Sequence, residues 1–217
     1  YDPTKEDFGS IGLDNLKAAG KWTILFFSLR IFICLATEFA ALAEQYDRFK
    51  KIGAEVITIS TDTKFVHLAW QKNEKELQNV KYPMGSDPTG KLSRMFGVYD
   101  ENTGLALRGS FIISPDGTLL NSETNFYNMG RNIDELMRKF KANIYLSRKK
   151  EEACPSKWKD EGDKTLKPNA KMVGHVHEAV SVRVAQHRPV GQFRLLRDHA
   201  HDRPHDIRGE TVVIERP

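Results

Sequence analysis

An almost unbroken apolar run, Trp22–Phe27, constrains the fold more than any other segment of the sequence. A strand with one face in water alternates apolar and polar residues, whereas a strand covered on both faces is apolar throughout. The wider apolar window, residues 22–36, is too short to span a membrane and contains Arg30. The sequence therefore predicts a buried central strand that runs into a helix, and no membrane segment.

The residues after this run alternate between helix and strand patterns. Apolar residues from Glu38 to Ile52 recur at helical spacing, and Gly53 follows as a C-cap. Strands that alternate with helices predict an α/β, thioredoxin-like fold, a central mixed sheet flanked by helices, although periodicity alone does not choose it over other α/β folds. The other expected elements are an irregular lead-in over residues 1–21, strands at 55–60, 108–114 and 118–120, and helices at 62–77, 91–96 and 133–145.

The composition changes near residue 180, and this change divides the chain into three parts. Residues 180–217 hold seven Arg and no Lys, whereas residues 1–179 hold seven Arg and nineteen Lys. We expect a thioredoxin-fold domain over residues 1–146, a C-terminal arm over 147–179, and an appended tail over 180–217. The tail lacks helical or strand periodicity over most of its length, which favours disorder.

Net charge and the number and spacing of the cysteines reduce the range of possible functions. A formal net charge of +4 argues against a dedicated nucleic-acid binder. Cys34 and Cys154 are 120 positions apart (154 − 34), which matches neither a small secreted scaffold nor a structural zinc site. With no secretory leader in the sequence, they indicate free thiols in a reducing, cytoplasmic location; two inert buried thiols are the alternative. Tail histidines such as His199 and His201 are a weak metal signal, so we expect no metal or other cofactor.

Cys34 lies where the apolar strand ends and the next helix begins. Unsatisfied backbone N–H groups and the helix dipole stabilise a thiolate there, which favours a reactive cysteine over a structural one. Cys154 lies in a polar segment after the last helix, where burying its side chain would add little to the stability of the fold. Two such cysteines make up a peroxide-reducing cycle: the first becomes a sulfenic acid, the second condenses with it to a disulfide, and an external dithiol restores both.

Nine segments carry a resemblance to a known family: residues 49–56, 60–63, 67–70, 81–84, 87–90, 96–98, 107–111, 130–132 and 153–158. They resemble the typical two-cysteine peroxiredoxins, in particular the peroxidase subunit of bacterial alkyl hydroperoxide reductase, in one order from about Lys21 to Gly174. So many segments in the same order leave little room for coincidence.

This resemblance implies roles for five residues. The Cys34 thiolate would attack the peroxide O–O bond, while Arg108 holds the thiolate and polarises the peroxide. Arg131 would orient that cluster, and Glu38 would anchor an arginine by a charge-assisted pair. Cys154 would resolve the sulfenic acid of a partner subunit.

The segment around Cys34 departs from the family pattern. The family carries a Pro seven residues before the cysteine and a Thr three before it, where this chain has Phe27 and Ile31. Pro-Thr-Glu follows the cysteine in the family, whereas Leu35-Ala36-Thr37-Glu38 follows it here. Aligning on the Thr-Glu pair would put Leu35 at the nucleophile position, but the aromatic-aliphatic-cysteine step that ends at Cys34 favours Cys34. A local reading-frame slip would explain the departure, and nucleotide resequencing tests it.

The resemblance also implies partners. The substrates would be hydrogen peroxide and small organic hydroperoxides, and the reductant would be thioredoxin or a flavoprotein disulfide reductase. The obligate unit would be an antiparallel homodimer, commonly assembled into a decamer. Two other functions are to be weighed: a peroxiredoxin scaffold that has lost catalysis and acts as an oligomeric holdase, and a general disulfide oxidoreductase, against which the absence of Cys-x-x-Cys argues.

Overall fold

Seven strands form a central sheet and a separate short hairpin in the part of the chain that the structure describes. The computed structural model describes residues 1–29 and 33–176, without the side chains of Ile33 and Cys34. The strands are β1 (Trp22–Phe27), β2 (Ala54–Ser60), β3 (Met84–Ser86), β4 (Tyr99–Asp100), β5 (Leu105–Ala106), β6 (Arg108–Ile113) and β7 (Leu119–Asn125), of which β4 and β5 form the hairpin.

Strand β1 is the central strand of the sheet, as the apolar run predicts. The strand order is β3-β2-β1-β6-β7; β1 is parallel to β2 and antiparallel to β6, so the sheet is mixed. Every residue of β1 is buried. The predicted α/β, thioredoxin-like architecture is confirmed, since helices cover both faces of this mixed sheet.

The two faces of the sheet pack into two apolar clusters. Ile24 and Phe26 of β1 lie in the larger cluster, whose other members come mainly from the second and fifth helices. Leu25 and Phe27 lie in the smaller cluster, where the first and fourth helices each contribute a partly buried leucine. The helices are α1 (Leu13–Ala18), α2 (Ile33–Lys51), α3 (Lys64–Asn73), α4 (Lys91–Met95) and α5 (Ile133–Arg148), with short 3₁₀ helices at Lys75–Leu77 and Ala170–Met172.

Two predictions near the start of the chain were wrong. The lead-in is not irregular throughout, because α1 lies within it. Helix α2 begins at Ile33 rather than at Glu38. Leu35, Phe39 and Leu42 are all buried in one cluster, and their spacing of four and then three residues extends the apolar stripe of the helix toward its start.

Two further boundaries differ from the prediction for local reasons. Helix α3 begins at Lys64 because the Thr63 side chain accepts a hydrogen bond from the backbone N–H of Val66, and it ends where Glu74 becomes extended. Strand β7 continues to Asn125 although most of its residues are polar. An edge strand is held by main-chain hydrogen bonds to one neighbour, here β6, and needs no apolar run.

The C-terminal arm packs against the body of the protein. Residues Tyr1–His175 form one compact unit, and Val176–Pro217 form a second. All of the second unit but its first residue lies outside the described part, and so does the predicted tail. The division into 1–146 and 147–179 stays a prediction. Within residues 1–29 and 33–176, no helix is long and apolar enough to cross a membrane.

Candidate active site

Three charged side chains that are far apart in the sequence meet in the protein interior. Glu38 lies in the second turn of α2, Arg108 is the first residue of β6, and Arg131 lies just before α5. Their side chains are 4%, 1% and 2% exposed, respectively. The structure therefore brings together the three charged residues that the sequence comparison with peroxiredoxins singles out.

Both carboxylate oxygens of Glu38 accept hydrogen bonds from the arginines. Oε2 accepts one from Arg108 Nη1 and one from Arg131 Nη2, the latter at 3.0 Å. Oε1 accepts from Arg131 Nε at 3.2 Å and from its backbone N–H at 2.6 Å. Two-pronged contacts of this kind are the strongest arginine–carboxylate pairs, and they fix the orientation of both partners.

The Arg131 guanidinium is also held by the sheet. Its Nη1 donates to the carbonyl of Phe27, the last residue of β1, at 2.7 Å and to the carbonyl of Gly109 in β6 at 2.9 Å. Its Cζ lies 3.2 Å from the centroid of the Phe26 ring, which adds a cation–π contact. Arg131 therefore links β1, β6 and α2 through its guanidinium.

Arg108 is held by a main-chain group that sequence reasoning missed. Its Nε donates to the carbonyl of Tyr127 at 2.8 Å, which fixes the guanidinium between that loop and Glu38. A backbone carbonyl is present at every residue, so neither this bond nor those to Phe27 and Gly109 has a signal in the sequence.

The cluster carries one more positive than negative charge. Burial alone would raise the pKa of Glu38, but the hydrogen bonds and charge of Arg131, with the charge of Arg108, outweigh it and hold that pKa below its usual value. Burial lowers the pKa of Arg131 to about 10, so it keeps its proton at neutral pH. Two cations face one carboxylate, which favours a further anion nearby.

The lowered pKa of Glu38 predicts a loss of stability in acid. A carboxyl whose folded-state pKa is depressed stabilises the protein above its unfolded-state pKa of about 4.3, and this contribution disappears as the pH falls through the folded-state value. We expect the difference in the free energy of unfolding between the wild type and Glu38→Gln to be constant above about pH 5 and to shrink below it. Urea unfolding at several pH values measures this, and a carboxyl ¹³C NMR titration of Glu38 checks the pKa directly. A midpoint at or above the ordinary value would contradict it.

Cys34 lies in the first turn of α2, one turn before Glu38. Four residues of α-helix advance about 6 Å along the axis, and residues four apart share a face of the helix. The first turn leaves backbone N–H groups without partners inside the helix, and the helix dipole is positive there. Together with the net positive charge of the cluster, this position favours the thiolate form of a cysteine.

The residues after Cys34 occupy two different environments. Leu35, the residue three before Glu38, is 1% exposed and lies in the larger apolar cluster. Thr37, the nearest hydroxyl after the cysteine, is exposed. Leu35 is therefore a core residue, whereas Thr37 faces solvent.

Cys154 lies in a closed loop of the arm. This Cys154 loop, residues 152–166, is joined at its base by two hydrogen bonds between the backbones of Ala153 and Leu166, at 2.8 and 2.9 Å. The thiol is half-buried and free, and burial raises its pKa despite the charge of Arg138. The structure thus places Cys154 within electrostatic range of Arg138 on α5.

Metal ligands do not cluster among the described side chains, which do not include that of Cys34. They contain no group of three His, Cys, Asp or Glu that could hold a metal ion. The tail histidines considered for metal binding, His199 and His201 among them, lie outside the described residues.

Comparison with known proteins gives one family for most of the chain. The model of the AhpC/TSA family matches residues 2–122. The chain is 39% identical over 178 residues to alkyl hydroperoxide reductase C of Staphylococcus saprophyticus, and 40% identical over the same length to that of Staphylococcus aureus. Each match covers 81% of this chain and 92% of the relative.

Solved structures agree with this result. The crystal structure of Enterococcus faecalis AhpC is similar with a TM-score of 0.66 and 36% identity, covering 71% of this chain and 91% of that one. The reduced 2-Cys peroxiredoxin of Plasmodium vivax is similar with a TM-score of 0.70 and 27% identity, covering 77% and 89%.

Proposed function

The chain belongs to the AhpC/TSA family, and on this basis we propose that it is a thiol-dependent peroxidase, a peroxiredoxin that reduces hydrogen peroxide and small organic hydroperoxides. The observation that supports this most directly is the buried cluster of Glu38, Arg108 and Arg131, one helical turn from Cys34. A cationic site that is built and locked before substrate arrives stabilises charge without reorganisation.

In the proposed reaction the Cys34 thiolate attacks one oxygen of the hydroperoxide. The S–O bond forms as the O–O bond breaks, sulfur is oxidised to the sulfenic acid, and the leaving alkoxide or hydroxide takes a proton and departs as an alcohol or water. Arg108, fixed by Glu38 and the Tyr127 carbonyl, stabilises the negative charge on the thiolate and on the leaving oxygen. Arg131 keeps Glu38 ionised and in place.

The sulfenic acid is then resolved by Cys154 of a second copy. The intersubunit position of this disulfide rests on the family resemblance, and the Cys154 thiol is free within one chain. Strand β7 supports an antiparallel homodimer, because it is an edge strand paired only with β6 in the described part and can accept another strand. Further assembly into a decamer rests on the family resemblance.

The disulfide needs an external reductant, for which we propose thioredoxin or a flavoprotein disulfide reductase. The cycle proposed here starts with both thiols reduced, which suits the reducing environment of the cytoplasm. No cofactor takes part in the proposed cycle, because the oxidising equivalent is the peroxide and the reducing equivalents are thiols.

The deciding measurement is the consumption of one equivalent of hydrogen peroxide by the pre-reduced protein. We expect rapid loss of one equivalent, abolished in Cys34→Ser and preserved in Cys154→Ser, which can form the sulfenic acid but cannot resolve it. The wild type should then run as a dimer on a non-reducing gel and Cys154→Ser should not.

Peroxide loss no faster than in Cys34→Ser would contradict the proposal. The same samples then test the alternative, a scaffold that acts as an oligomeric holdase. Such a protein would suppress aggregation of a client protein equally well with and without Cys34.

A further inference from the structure

The Cys154 loop, which is closed at its base, is attached to α5 by a hydrogen bond and a ring contact. Arg138 Nη1 donates to the carbonyl of Trp158 at 3.0 Å. Trp158 is 2% exposed, and its ring packs against that of Tyr145 of α5 in a tilted arrangement with ring centroids 5.8 Å apart. Because the backbone N–H of Trp158 donates back to the Pro155 carbonyl at 2.9 Å, the turn from residue 155 to 158, directly after Cys154, is held as a unit on the helix.

Arg138 is itself fixed before it reaches the loop. Its Nε and Nη2 donate to the two carboxylate oxygens of Glu135, one turn earlier on α5, at 2.6 and 2.8 Å. The side chain of Arg138 is 27% exposed, and that of Glu135 is 40% exposed. One edge of the guanidinium therefore binds Glu135, and its remaining nitrogen binds the loop. A lysine ammonium cannot make both of these contacts in the same geometry.

The charges that face the Cys154 thiol come from both elements packed around it. Burial raises the pKa of the thiol, Arg138 of α5 lowers it, and Glu152 of the loop raises it. The Glu152 carboxylate is itself bound by the hydroxyl groups of Tyr145 and Thr165. Arg138 is therefore the cation that lowers the pKa of the Cys154 thiol, against the effects of burial and of Glu152.

We propose that Arg138 is a positioning residue for the resolving step, holding the turn after Cys154 on α5 and keeping a guanidinium within electrostatic range of its thiol. The inference rests on the proposed function, since it concerns the second half of the same cycle. In that half the Cys154 thiolate attacks the sulfenic sulfur of Cys34 in the partner. The S–S bond forms, the S–O bond breaks, and hydroxide leaves as water with a proton from solvent.

The first test uses the full chain with Cys34→Ser, in which Cys154 is the only thiol, and needs no peroxide. The rate of alkylation by iodoacetamide is measured against pH. Adding Arg138→Gln is expected to move the midpoint of this profile up by about half a unit, because a cation that favours the thiolate is lost.

Arg148→Gln is the matched control, because Arg148 also joins α5 to the arm through an ion pair, with Glu161 at 3.1 Å, but both partners are more than half exposed. We expect its profile to overlay that of the parent. Arg138→Lys, which keeps the charge and loses the two-pronged geometry, is expected to keep the midpoint. A profile for Arg138→Gln that overlays that of Arg148→Gln overturns the proposal.

The second test follows the resolving step itself in chains that keep both cysteines. After one equivalent of hydrogen peroxide, disulfide formation at pH 7 should be about tenfold slower in Arg138→Gln, and slower also in Arg138→Lys, than in Arg148→Gln. An equal disulfide rate in all three overturns the positioning role. If the wild type consumes no peroxide, the proposed peroxidase function is refuted. The alkylation profile, which needs no peroxide, still shows whether Arg138 acts on the Cys154 thiol.

Discussion

Replacing Glu38 by glutamine is expected to lower the free energy of unfolding by about 3–5 kcal/mol. The substitution removes the carboxylate that lies between two guanidiniums, which are 1% and 2% exposed, and leaves Arg108 and Arg131 as buried like charges. A glutamine amide has one acceptor oxygen and places an NH₂ group against an arginine donor, so it cannot restore both contacts. Such a loss is a large share of the 5–15 kcal/mol typical of a folded domain. Urea unfolding at pH 7 measures it.

Glu101→Gln is the matched control for this experiment. Glu101 makes the same two-pronged contact, with Arg94 at 2.6 and 2.9 Å, but the side chains are 66% and 45% exposed. Solvent screens such a pair, so we expect its loss to cost only a small fraction of what the loss of Glu38 costs. Equal losses of unfolding free energy in the two variants would show that the buried Glu38 cluster stabilises the protein no more than an exposed ion pair does.

Replacing Arg108 by lysine is expected to slow the reaction of the reduced protein with hydrogen peroxide about 100-fold. The charge is kept, but a lysine ammonium cannot hold Glu38 and the Tyr127 carbonyl with two nitrogens of one rigid plane, as Arg108 does. Its charge is then no longer fixed where the leaving oxygen develops. Stopped-flow measurement of the second-order rate constant, with a thermal melt to confirm folding, measures the effect.

Arg94→Lys serves as the control, since it makes the same change in an exposed arginine–carboxylate pair. We expect its rate constant to stay within about twofold of the wild type. A folded Arg108→Lys protein that also reacts at the wild-type rate would remove Arg108 from the proposed mechanism.

The sequence indicates the sheet more clearly than the site. The run Trp22–Phe27 predicts a buried central strand because a strand covered on both faces must be apolar throughout, and β1 is that strand. Helix α2 was predicted to begin too late, because Leu35 alone, without an apolar partner one turn earlier in the described side chains, did not mark the stripe at its start. That turn holds Cys34, so the error falls at the place where the chemistry is proposed.

The charged cluster could not be found from local pattern. Glu38 and Arg108 are 70 positions apart, and Glu38 and Arg131 are 93 apart, so only the fold brings them together. Without the resemblance to peroxiredoxins, an isolated arginine such as Arg108 is best interpreted as a surface cation. The contact of Arg138 with the Trp158 carbonyl has no sequence signal either, because the acceptor is a main-chain group.

The burial of Trp158 gives the protein an optical property. Its indole is 2% exposed, packs against Tyr145 in a tilted arrangement, and lies four residues after Cys154 in the turn that Arg138 holds on α5. Trp22, by contrast, lies in the central strand, in the same core cluster against which Trp70 of α3 packs. Release of this turn from α5 transfers this one indole from an apolar contact into water and leaves the other two in place. The intrinsic fluorescence of the chain therefore reports whether the turn stays on α5, without an added label.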